Sequence, residues 1–162
     1  MPPPDHGQPD FPTDDELPRT VELLFFACRA FTSDPDRILE NLAYGRAHHR
    51  AIHFINRQPG TTVNRLPDIP GVTKQSLNRV PRRLIKDRLV ENRIGIVDRR
   101  ERHLCLTAAG RRPEAQLSAL QRDRLRKAFR AAGPDALSDF AEARENIMDP
   151  DMRTHIKDPG KE

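Results

Sequence analysis

The chain has 162 residues, 32% of them charged and 36% hydrophobic, with a net charge of +4, seven phenylalanines, one tyrosine and no tryptophan. That balance suits one core with extensions and excludes an aromatic-rich sandwich. The two cysteines, Cys28 and Cys105, form no CxxC pair, which excludes a disulfide framework or zinc knuckle.

Residues 1–18 hold six prolines and five acids with no Lys or Arg, so they cannot bury enough apolar surface to order themselves and are expected to be a tail. MPPPDHGQPDFPTDDE has neither the basic start nor the apolar stretch of a leader, and no run reaches the roughly 18 apolar residues of a membrane span. The expected location is the cytoplasm, with no membrane partner. From Thr20 the pattern is helical, because Val21, Leu24, Phe25, Cys28 and Phe31 recur at spacings of three and four. Ser33-Asp34-Pro35 predicts a stop and a restart, with Asp34 as N-cap and Pro35 at the first helical position. The restart carries Ile38, Leu39 and Leu42.

After Gly45, RAHHRAIHFINR predicts a helix ended by Pro59-Gly60. A short helix opening at Thr61 or Thr62, a turn around Gly71, and a helix capped by Thr73 follow, the last running through Leu77, Val80, Leu84 and Ile85. LVENRIGIVDRRERHLCLT reads as two short strands joined by a charged loop, with alternation strongest at Leu104 and Leu106. Helix resumes to about Met148, broken at Gly133-Pro134, and Leu137, Phe140, Ala141 and Ile147 form a stripe on its second part. DPDMRTHIKDPGKE lacks periodicity and is expected to be a second tail.

Charge is concentrated: residues 73–112 hold twelve Lys or Arg against four acids, a surplus of +8 that the rest of the chain offsets by −4. Helix, turn, helix, then two strands with a basic tip is the order of a winged helix-turn-helix, and it gives this charge a use. The second helix of that motif enters the major groove by its N-terminal side chains while the wing reaches an adjacent minor groove. Thr73 then caps the helix and, with Lys74, Gln75, Ser76, Asn78, Arg79 and Arg82, can address bases and phosphates. Arg99, Arg100 and Arg102 suit the negative potential of a narrow minor groove, and Asp98 can hold the wing in shape by pairing with a neighbouring arginine.

At these residues the chain resembles the MarR family of bacterial transcription regulators. The family's wing pattern D-x-R-x-x-x-L-x-L-T-x-x-G is matched by Asp98, Arg100, Leu104, Leu106, Thr107 and Gly110. AHHRAIHFINRQPGTTV and VTKQSLNRV resemble its second helix and recognition helix, and the likeness covers about residues 20–148. The resemblance implies a mainly α fold with a small β-wing and a homodimer interlocked through helices in 19–44 and 112–148. It also implies a DNA-binding lobe over 45–111, a pseudo-palindromic double-stranded operator and often a small-molecule pocket between the layers. The function expected is that of a sequence-specific regulator, a repressor released by a ligand or oxidant, with no cofactor.

The prolines depart from the family pattern. Pro67 and Pro70 fall in the first helix of the motif, Pro81 in the recognition helix and Pro113 early in the helix after the wing, and an interior proline costs about 3 kcal/mol. Pro81 is expected to kink the helix and redirect Arg82, Arg83 and Lys86, whereas Pro113 is milder if its helix opens at Arg112. The alternative function is therefore a dimeric interaction or ligand-sensing protein whose winged lobe is impaired by Pro67, Pro70 and Pro81.

His48, His49 and His53 raise a metal reading, since His49 and His53 stand at i and i+4. No Cys, Asp or Glu follows at ligand spacing, and Arg46 and Arg50 would repel a cation, so packing or effector contact is favoured. Cys28 on an apolar stripe is expected to be a buried structural thiol, and Tyr44, Phe25, Phe26 and Phe31 to be dimer core. No nucleophile stands at a recognisable spacing from a base, so no enzyme is expected.

Overall fold

The structure, a computed structural model, describes residues 12, 14–66, 74–95, 102–154 and 156, with 74–78 described in backbone only. In chain order these form α1 (Leu17–Asn41), α2 (Arg46–Arg57), a 3₁₀ turn (Val63–Arg65), α3 (Lys74–Lys86), β1 (Val90–Ile94), β2 (Arg102–Leu106), α4 (Ala108–Ala132), α5 (Ala136–Ile147) and the single turn α6 (Pro150–Arg153). The fold is mainly α with one two-stranded antiparallel sheet, as the pattern of the sequence predicts. No described helix is long and apolar enough to cross a membrane.

The predicted break at Asp34-Pro35 does not occur, because α1 runs unbroken through Pro35. Its ring is fully buried, and the hydroxyls of Thr32 and Ser33 bond back to the carbonyls of Cys28 and Ala30 at 3.1 and 2.9 Å, keeping the preceding turn tied. Asp34 does not cap; its carboxylate takes Arg124 of α4 at 2.6 Å. The helix ends where Ala43 adopts a left-handed φ of 55°, so that the Tyr44 N–H reaches the Leu39 carbonyl at 2.8 Å.

The core lies where α1, α2, α3, the sheet and the start of α4 meet. Leu39, Ile52, Ile55, Leu84, Leu104 and Leu117 are each at most 1% exposed, and each such burial contributes about 1.5–3 kcal/mol. β1 and β2 pair from Val90↔Leu106 to Ile94↔Arg102, and Thr61 bridges to the other edge of β2 at Leu104. Leu104 and Leu106 face the core while His103 and Cys105 are half-buried on the opposite face, the period-two pattern of a strand covered on one side.

α3 is continuous from Lys74 to Lys86 across Pro81, whose ring is fully buried. α4 opens at Ala108, not Arg112, because the Thr107 hydroxyl accepts the Gly110 N–H at 3.0 Å, which leaves Pro113 at the sixth helical residue. Beyond Asp149 the expected tail instead begins with the turn α6, Pro150 supplying its first position. Pro67 and Pro70 lie outside the described residues; of the short helix expected there, the described part is the 3₁₀ turn.

Candidate nucleic-acid interface

α3 exists as a helix because Val80 and Leu84, one turn apart, anchor one side of it in the core. That geometry leaves Arg79, Arg82 and Lys86 exposed on the other side, a cationic row at spacings of three and four. Lys74, Gln75, Ser76 and Asn78 occupy the first turns of the same helix. Arg102 is exposed at the start of β2, opposite Ile94, so it sits at the base of the wing. Thr73, Asp98, Arg99 and Arg100 lie outside the described residues.

Thr107 and Gly110, met in the wing pattern, turn out to join elements. The Thr107 hydroxyl donates to the Arg88 carbonyl at 2.7 Å, its N–H reaches the Leu89 carbonyl at 3.0 Å, and Gly110 packs against that same carbonyl with no room for a side chain. The turn between α3 and β1 is thereby clamped to the start of α4.

Tyr44 is not free for a dimer core: it is buried within the lobe, 9% exposed. Its hydroxyl donates to Asp87 Oδ2 at 2.7 Å, and Arg83 Nε donates to the same oxygen at 2.5 Å. The ring stacks on His48, centroids 4.8 Å apart, and Arg83 lies over it at 5.8 Å. Burial, then the bond to Asp87, pushes the Tyr44 pKa up to about 12, while the bonds from Arg83 and Tyr44 hold the Asp87 carboxyl below its ordinary value. No local pattern in the sequence shows this cluster, since Tyr44 and Asp87 are 43 positions apart.

Residues of α1, α2 and α4 line an open cleft of about 600 Å³. Phe31, Phe54 and Leu125 give it apolar walls, and Arg50, Arg57 and Arg122 line it without an ion pair among the described residues, whereas Arg46 is tied to Asp36 at 2.7 Å. His49 and His53 also line it, and burial lowers both pKa values, so both imidazoles are neutral at neutral pH. His53 Nδ1 stands 3.6 Å from Glu114 Oε1, beyond hydrogen-bond length, and Glu114 is held by the Ser118 hydroxyl at 2.6 Å. A carboxylate thus does stand beside His53, supplied by α4, where spacing along the sequence could not show it. Still, no three His, Cys, Asp or Glu among the described residues are grouped to hold a metal. Cys28 corrects the expectation of a buried thiol: it lines the cleft and is exposed, because no described residue covers that part of α1.

A helix anchored by its apolar side with its cations outward, followed by a two-stranded wing clamped to the next helix, defines a winged helix-turn-helix regulator of transcription. The chain belongs to the MarR family: the family's profile matches residues 44–101, and the HTH-type transcriptional regulator PetP of Rhodobacter capsulatus is 59% identical over 147 residues, spanning 91% of this chain and 89% of that protein. It is a regulator and not an enzyme. Among solved structures, a MarR family regulator from Silicibacter pomeroyi is similar with a TM-score of 0.66 at 20% identity, over 79% of this chain and 86% of that one. A single-substitution mutant of MepR from S. aureus, bound to an oligodeoxyribonucleotide, is similar with a TM-score of 0.54 at 16% identity, over 80% and 94%.

Proposed function

We propose that the protein is a cytoplasmic homodimer that represses transcription by gripping a pseudo-palindromic operator through α3 and the wing. The observation that carries this is the exposed row Arg79, Arg82 and Lys86 on a helix whose other side is core, within a segment of charge +8. In this assignment Thr73, Lys74, Gln75, Ser76, Asn78, Arg79 and Arg82 contact the major groove and its phosphates. Arg99, Arg100 and Arg102 serve the wing, and Asp98 shapes it. The bound oligodeoxyribonucleotide of MepR, on the same fold, accords with such a use.

Dimerisation is supported by apolar side chains that the described residues leave open: Phe25 and Phe26 of α1 are 71% and 66% exposed, and Ile147 of α5 is 70% exposed. Residues 19–44 and 112–148 would form the interface, and 45–111 the DNA-binding lobe. The cleft suits a small effector with an apolar body and a negative charge, since Phe31, Phe54 and Leu125 meet there Arg50, Arg57 and Arg122, which have no ion pair among the described residues. Continuity of α3 through Pro81 weighs against the alternative of a lobe impaired for DNA binding.

Arg100→Ala is expected to weaken binding to the region upstream of the protein's own gene and to lower the salt slope of log K by about 0.9. Arg126→Ala, in the exposed distal part of α4, should change neither. Equal behaviour of the two variants in a salt titration would remove the wing from the interface.

A further inference from the structure

We infer that Arg83, gripped by Asp87 and Tyr44, is a pre-set contact for a DNA backbone phosphate at the C-terminal half of α3. The inference rests on the DNA-binding reading above and adds a residue and two supports to it. Arg83 follows Arg79 by one helical turn and adjoins Arg82, so it borders the cationic row, and its side chain is half exposed.

What distinguishes it from its neighbours is restraint. Its Nε is spent on Asp87 Oδ2 at 2.5 Å, and its plane is backed by the Tyr44 ring at 5.8 Å. Tyr44 is fixed in turn by its own bond to the same carboxylate oxygen at 2.7 Å and by the stacked His48, whose Nδ1 accepts the Gly45 N–H at 3.2 Å. The two Nη groups have no partner among the described residues. A free arginine gives up about 2 kcal/mol of side-chain entropy on fixing its guanidinium, and here most of that loss is already taken in folding. A planar guanidinium held at Nε with its outer edge open matches the oxygens of a phosphate, and a buried phenol that stays protonated is a lasting donor to the supporting carboxylate.

A simpler role is charge cover: Arg83 could only neutralise Asp87, an i, i+4 pair of small worth. The two roles separate on duplex DNA from the upstream region and on a scrambled duplex of equal length, because phosphate contacts ignore sequence. Arg83→Ala is expected to weaken binding to both duplexes by about tenfold and to lower the salt slope by about 0.9. The Arg83→Ala, Asp87→Ala double variant, which leaves net charge unaltered, should stay weak on both. Tyr44→Phe should weaken binding about threefold in the natural background and not at all when Arg83 is already alanine, the coupling a positioning residue must show. Recovery of natural affinity in the double variant, or an Arg83→Ala protein that binds normally, overturns the contact. Failure of the unmodified protein to bind either duplex overturns the DNA reading itself.

Discussion

Gly110→Ala is expected to destabilise the fold by about 3 kcal/mol or more. A Cβ at this position would overlap the carbonyl oxygen of Leu89 and lie 2.9 Å from its carbon, and both partners are backbone, so no side chain can swing aside. Relief by separation of α4 from the α3–β1 turn would break the Thr107 bonds to Arg88 and Leu89 at 2.7 and 3.0 Å. Set against a total of about 5–15 kcal/mol for a domain, such a loss is severe. Thermal unfolding should move down by roughly 6–12 °C; a variant that melts with the natural protein would show that the clamp is loose. The same substitution should weaken DNA binding, since α3 and the wing are held in one frame by this joint.

Pro81→Ala is expected to do the reverse, raising stability by about 1–2 kcal/mol. Alanine restores an N–H that can bond to the Leu77 carbonyl and is about 3 kcal/mol better than proline within a helix. Against that gain stands the loss of apolar ring atoms from a fully buried site, worth about 0.8 kcal/mol for each methylene removed. Leucine is the poorer choice here, because the site is closed and a longer side chain would overpack it. Chemical denaturation of the two variants beside the natural chain checks the order. An alanine variant less stable than the parent would mean that the proline ring is a core residue in its own right.

Much of the lobe is legible in the sequence because local pattern and tertiary burial agree there. RAHHRAIHFINR shows its buried face by spacing, and Ile52 and Ile55 are indeed sealed; the alternation at Leu104 and Leu106 marks the covered face of β2. Proline is the misleading signal. Rules drawn from isolated helices place Pro35 at a helix start, yet its ring is buried within the unbroken α1, and Pro81 is likewise buried inside the continuous α3. Asp34 looks like a cap in sequence because its partner Arg124 is 90 positions away. The same blindness to distance hides Glu114 beside His53 and Asp87 beneath Tyr44, contacts that only the folded chain creates. Thr107 and Gly110 are visible as motif letters, but their work, clamping a turn to a helix, is not.

Two copies of this chain are expected to present α3 to successive turns of one duplex. Footprinting on the region upstream of the protein's own gene reads this out. Protection is expected over two half-sites related by a dyad, their centres about 34 Å apart along the helix axis. Protection of a single undivided site with no dyad, or no protection at salt low enough to favour phosphate contacts, would contradict it.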